Sequence, residues 1–215
     1  MVALVMRVID SAAVLSPEFG VTYSQYMTAT PTDSALMLRY KDGDVAAFET
    51  LYRRHNDPLY RYLVRRCLSR EAAEDVFQEV WGKIIKSRRS YRRTAKFTTF
   101  LYRVAHNCFI DHVRRNRKHV AKTETDPDLY ANPSDEPDVV AEKGLARKRL
   151  DQALSALPDE QRDVFLLHEE AGLTLDTIAH VTGVNRETAK SRLRYAVNKL
   201  KAKLADPAER PGATS

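Results

Sequence analysis

The chain has 215 residues, 43% hydrophobic and 30% charged, with a formal net charge of +6. That composition is typical of a soluble globular protein long enough for one large or two small domains, and the cationic excess favours a polyanionic partner. Two cysteines, Cys67 and Cys108, give no disulfide framework or cysteine-rich zinc site, and no apolar run approaches the roughly 20 residues that span a membrane.

Residues 1–31 show no sustained period. They read as a disordered N-terminal extension, with Met6 and Met27 as alternative starts and no assignable role. The opening MVALVMRVIDSAAVL lacks a signal-peptide layout, so the expected location is the cytoplasm.

Helical signals begin at Asp33, which suits the cap of a short helix closed by Gly43. Asp44 suits the next cap, with Phe48, Leu51 and Tyr52 inward. Pro58 either kinks that helix or opens a new one, and Leu59, Tyr62, Leu63 and Cys67 extend the apolar stripe. Ser69 caps a helix to about Lys86, with Val76, Phe77, Val80, Trp81 and Ile84 inward and Asp75, Gln78 and Glu79 on the polar side. The segment SRRSYRRTAK (87–96) is basic, and a helix from Phe97 to about Arg117 follows on the stripe Leu101, Val104, Ala105 and Cys108. The cations around Tyr91 and Phe97 suggest a nucleic-acid face whose aromatic rings stack on unpaired bases. The plain alternative is a solvated charged surface.

Residues 119–144 are acidic and proline-bearing, without apolar period, and read as a flexible linker. Its length, extended, reaches about 80 Å. Beyond it, Ala146, Leu150, Ala153, Leu154 and Leu157 mark one helix, and DEQRDVFLLHEEAG a second that closes at Gly172. Thr174 caps a short helix ended by Gly183, and Asn185 caps a longer one with Ala189, Leu193, Ala196, Val197, Leu200 and Leu204 on one face. Arg186, Lys190 and Arg194 repeat every fourth residue on another face, beside Ser191. A short and a long helix joined by a glycine turn form a helix-turn-helix, whose second helix enters the DNA major groove. The ordinary alternative is a helical hairpin with a solvated basic face. The fold expected is all-α: two small helical domains, 32–118 and 145–206, joined by the acidic linker and followed by a tail at 207–215.

In this order the segments AAFETLYRRH and LYRYLVRR, AEDVFQEVW, FTTFLYRVAHNCFIDHVRR, LSALPDEQRDVFLL and LTLDTIAHVTGVNRETAKSRL resemble the extracytoplasmic-function (ECF) sigma factors. These are the two-domain group of the sigma-70 family of bacterial RNA polymerase. The resemblance implies that 32–118 is region 2, which binds the β′ clamp helices of core polymerase through Asp75, Gln78 and Glu79. It implies that Arg92, Arg93, Lys96, Thr98, Thr99, Arg103 and Asn107 read a melted promoter −10 element. It implies that 145–206 is region 4, touching the β flap and reading the −35 element through Arg186, Lys190, Ser191, Arg192 and Arg194. It further implies an anti-sigma factor as partner, and a linker that runs through the polymerase cleft, where its acids can mimic RNA. No cofactor, metal or catalytic residue is implied; promoter recognition and melting fall to this chain and catalysis to the polymerase. Phe100, His106 and Asn185-Arg186-Glu187 depart from the family's commoner residues, so the promoter sequence is not inferred.

Two other classes compete. A free-standing helix-turn-helix regulator needs a dimer seam or ligand domain, and neither pattern is evident. A metal hydrolase or nuclease finds its best ligand candidates in His106, Cys108, Asp111 and His112 on one helix, but Cys108 lies on the apolar stripe and no second ligand pair accompanies them. Redox sensing by Cys67 and Cys108 competes with a simpler role as small core hydrophobes.

Overall fold

Short polar side chains set where the helices start. In the computed structural model, which describes residues 30–116 and 147–205, Thr32 accepts from the Ala35 amide and opens α1 (Asp33–Lys41). Asp44 does the same for α2 (Val45–Cys67) and Ser69 for α3 (Arg70–Ser87). Such caps are worth about 1 kcal/mol each. The cap of α1 is thus Thr32, one residue before the expected Asp33. Asp33 is drawn away because its carboxylate takes Arg54 and His55 of α2, each at 2.8 Å.

Pro58 neither ends α2 nor starts a new helix; α2 runs through it for 23 residues. It ends at Leu68 in the left-handed conformation (φ 56°), the one described non-glycine with positive φ. A 3-10 turn, Arg88–Ser90, leads to the basic loop, and α4 (Phe97–Asn116) closes the first unit. Its core packs Leu36, Met37, Leu51, Leu59, Leu63, Val76, Val80, Ile84 and Leu101 with almost no exposure. Phe48, Tyr52, Phe77 and Trp81 meet edge-on or tilted at 4.9–6.5 Å, a geometry worth about 0.5–1.5 kcal/mol per pair beyond burial.

The second unit comprises α5 (147–155), α6 (Asp159–Glu169), α7 (Leu175–Thr182) and α8 (Arg186–Ala205). Thr174 caps α7, and Asn185 caps α8 by accepting from the Thr188 amide at 2.7 Å. Gly172 and Gly183 both take positive φ, which lets the chain reverse between helices. α6 and α7 pack against α8 around Leu166, Leu167, Ile178, Ala189, Ala196 and Leu200. Every regular element among the described residues is helical, as the periodicity predicts. The two units also touch: α6 lies on α2, and α7 on α4. The leader, the acidic linker and the C-terminal tail fall outside the described residues.

Candidate nucleic-acid interface

The turn at Gly183 (φ 70°) sets the geometry of the helix-turn-helix. Its amide donates to Ala179, as does that of Val184 at 3.1 Å, so small, buried Ala179 sits where the two helices approach. The turn leaves the first two turns of α8 projecting outward. Arg186 and Lys190 are both more than half exposed, and Arg194 is exposed with its guanidinium 5.3 Å from the ring of Tyr195. These three form one row. Ser191 is partly buried at its edge. Arg192 departs from the expected set: it turns back to pair with Glu160 of α6 and is largely covered. Sequence reasoning passed over Glu187. It stands exposed inside the row, 3.5 Å from Arg186 and 3.7 Å from Lys190, while Asp176 of α7 lies 3.0 Å from Arg186.

The second group of cations lies on the first unit. Tyr91 and Phe97 bracket the loop, and both rings are buried, at 5% and 1% exposure. They therefore do not stack on bases as expected; they pin the two ends of the loop to the core, with Tyr91 edge-on to Phe100 at 5.4 Å. Lys41 of α1 adds a third fixing point by donating to the Tyr91 carbonyl at 3.0 Å. Between the pins Arg92, Arg93 and Lys96 are exposed. Thr98 and Thr99 are partly buried at the start of α4, and Arg103 and Asn107 follow Thr99 at four-residue steps on an exposed face. Loop and helix face thus present cations and hydrogen-bonding groups side by side, a surface suited to a nucleic-acid strand.

On α3, Asp75 and Gln78 are exposed, together with Glu71 and Glu74. Glu79, expected on the same free face, is instead engaged: Lys83 lies at 2.9 Å and Arg115 of α4 at 2.7 Å. Partial burial pushes its carboxyl up, but the two cations outweigh that and hold it below its ordinary value. Glu79 clamps α3 to α4. The other ligand candidates are dispersed into structural contacts: Cys108 is fully buried, His112 meets Asn116 at 2.8 Å, and His106 meets Asp163 at 2.8 Å. Burial pushes the Cys67 thiol up to about 12, and burial also raises that of Cys108.

Comparison with known proteins agrees with this arrangement. The model of sigma-70 region 2 matches residues 51–119, and that of sigma-70 region 4 matches residues 153–202. The ECF RNA polymerase sigma factor SigM of Mycobacterium tuberculosis is 30% identical over 79% of this chain and 83% of that protein. SigF of Caulobacter vibrioides, also an ECF RNA polymerase sigma factor, is 31% identical over 81% of this chain and 95% of that protein. RNA polymerase sigma factor YlaC of Bacillus subtilis is 29% identical over 73% and 94%. Two solved structures share the fold. CnrH, in complex with the cytosolic domain of CnrY, has a TM-score of 0.61 at 21% identity over 83% of this chain and 99% of that one. RpoE from Bartonella quintana, with the anti-sigma factor NepR, has a TM-score of 0.62 at 20% identity over 74% and 98%. With both sigma-70 regions matched in order and with ECF sigma factors 30–31% identical over about four fifths of its length, the chain belongs to the ECF group of the sigma-70 family of RNA polymerase sigma factors.

Proposed function

We propose a division of labour for promoter recognition along this chain. Residues 32–118 act as region 2 and residues 145–206 as region 4, with the acidic segment 119–144 between them. The single observation that supports it is the pair of separate exposed cationic surfaces, one on each unit. Arg186, Lys190 and Arg194 read the −35 element, with Ser191 at the edge of the contact. Arg92, Arg93, Lys96, Thr98, Thr99, Arg103 and Asn107 hold the single strand of the melted −10 element. Asp75 and Gln78 meet the β′ clamp helices of core polymerase, and region 4 meets the β flap. Glu79 and Arg192 support these surfaces from behind through their ion pairs. The chain supplies recognition and melting and no catalysis of its own, and it works in the cytoplasm, where promoters and polymerase are. No helix among the described residues is long and apolar enough to cross a membrane. The structural neighbour RpoE, seen with the anti-sigma factor NepR, supports an anti-sigma factor as a further partner.

Transcription reconstituted from core polymerase and this chain, mapped genome-wide, tests the reading. The expected result is initiation at a set of sites sharing −35 and −10 sequences. Sequence-specific duplex binding by the free chain, with no stimulation of core polymerase, overturns it.

A further inference from the structure

The sequence of α8, RETAKSRLRYAVNKLKAKLA, holds a single acid, Glu187. Its place on the helix is the outermost one. Ala189, Ala196 and Leu200 are buried where α6 and α7 pack on α8. At about 100° per residue, Glu187 lies about 140–180° around the axis from all three. Ser191 and Arg194 share its side of the helix. Arg186 leans to the flank, where Asp176 of α7 meets it at 3.0 Å. The Glu187 side chain is 72% exposed. It also stands in the first turn, the part of a recognition helix that reaches base edges.

Two ordinary roles account for less than this. An acid in a first turn suits the helix dipole, but any side of that turn would serve. The ion pairs to Arg186 (3.5 Å) and Lys190 (3.7 Å) are long and exposed, so each contributes little. They release the carboxylate readily when the two cations turn to phosphates. Neither role calls for a carboxylate at the centre of a surface that meets a polyanion.

A carboxylate at that place finds no partner among the phosphates. It accepts hydrogen bonds and donates none, so the groove floor has to supply the donor. On the strand it faces, cytosine offers its N4 amino group, and adenine its N6 amino group beside the acceptor N7. Guanine presents O6 and N7 and thymine presents O4, all of them acceptors. Cytosine is therefore the base that answers a carboxylate without an opposing lone pair.

We propose that Glu187 is a specificity-determining residue of α8: it accepts from the N4 amino group of a cytosine in the −35 element and penalises guanine or thymine at the same place. Its charge opposes binding to every sequence through the phosphates, and opposes it least where a cytosine amino group meets it. The preference comes from rejecting the wrong base as much as from holding the right one. The inference rests on the reading of α8 as the −35 reader and deepens it.

The test uses holoenzyme assembled from core polymerase and the full chain, acting on a template pool with a randomised −35 segment. Transcribed templates are sequenced against the input. Wild type is expected to enrich cytosine at one position at least about fivefold over guanine and thymine. Glu187→Gln keeps the shape and adds a donor. It is expected to bring that enrichment below about twofold, with transcription raised most on templates that carry guanine or thymine there. Glu187→Arg presents donors to guanine O6 and N7, and is expected to move the enrichment at the same position from cytosine to guanine. A role confined to the helix dipole or to holding Lys190 would shift the melting temperature or the overall yield, not the base chosen at one position. Cytosine enrichment that survives in either variant, or its absence from wild type, overturns the assignment of Glu187. In that event an altered −35 preference in Lys190→Ala leaves α8 standing as the reader, whereas a wild type without any −35 preference overturns both.

Discussion

Buried positions in this chain answer to chemistry that the exposed ones do not share. Cys67 is one. Its thiol is packed at the end of α2, and burial pushes it up to about 12, with Arg66 and Arg162 only partly opposing. The sign is that of a group kept protonated: across neutral pH almost no thiolate forms, and the thiolate is the reactive species. Native protein at pH 8 is therefore expected to alkylate at Cys67 with iodoacetamide at least about tenfold more slowly than in denaturant, read by peptide mass. Rapid native labelling would show that the thiol is not held as the packing implies. Gly183 is another special position. A Cβ there meets nothing within 4 Å, so Gly183→Ala suffers only from the positive φ. That strain costs about 1–2 kcal/mol, and Gly183→Asn, which tolerates the left-handed region, is expected to lose less. Thermal melts of the two variants test the order.

Among the elements, α8 carries the face proposed above to read the −35 element. Lys190→Ala or Arg194→Ala is expected to weaken −35-dependent transcription, by about 1–3 kcal/mol where the contact is to a base, with relaxed preference at one position. Arg192→Ala is the contrast: it loses a half-exposed ion pair to Glu160, worth no more than about 1 kcal/mol, and leaves −35 preference intact. If Arg192→Ala abolishes −35 use while Lys190→Ala does not, the row has been assigned to the wrong side of the helix. The sequence made the helices legible because caps and apolar periods are local signals. Ser69, Asp44, Thr174 and Asn185 each sit where a cap is expected, and each makes its bond. The loop is illegible for the opposite reason. An aromatic ring among arginines looks the same in sequence whether it stacks on a base or anchors the chain, and only the packing around Tyr91 and Phe97 tells the two apart. The ion pairs of Glu79 and Arg192 are likewise hidden from a local reading, since their partners Arg115 and Glu160 lie 36 and 32 residues away.

For the whole molecule, distance along the chain hides what matters most. Tyr62 and Asp163 are 101 residues apart, and no local pattern announces their bond. A hint was present: Asp163 falls three and four residues before buried Leu166 and Leu167, on the inward stripe of its helix. The pH response of the contact follows from its two buried carboxyls. Burial pushes Asp163 up, but His106, Arg66 and Tyr62 outweigh it and leave the group below its ordinary value. Its stabilisation is complete above that ordinary value and is lost as pH falls through the lowered one. Asp151 runs the other way: burial, incompletely answered by Arg65 and Arg147, raises it, so its share of stability declines as pH climbs through the raised value. The melting temperature of the chain is therefore expected to fall on acidification below the ordinary carboxylate range, read by thermal melts at a series of pH values. Assembly with polymerase is a separate matter. Asp75→Lys with Gln78→Lys is expected to abolish co-purification with core polymerase while the circular dichroism spectrum is kept. Glu79→Lys is expected to lower the melting temperature first, because it sets a third cation between Lys83 and Arg115.

Glu187 and Asp176 have one more effect, on the ions that accompany DNA binding. Arg186 and Lys190 already face carboxylates at 3.0–3.7 Å on the protein surface before they meet a phosphate. When they move to the duplex, the condensed counterions of the DNA leave, but the abandoned carboxylates draw cations back from solution. The net release is then smaller than the number of phosphates contacted, and the logarithm of affinity falls with the logarithm of salt less steeply than about 0.9 per contact. Glu187→Gln removes one of the acceptors, and it is expected to steepen that dependence while tightening binding at low salt. Titrations of holoenzyme on a promoter fragment across a range of potassium concentrations measure both quantities, and parallel lines for the two proteins would mean that the carboxylate follows its cations onto the DNA.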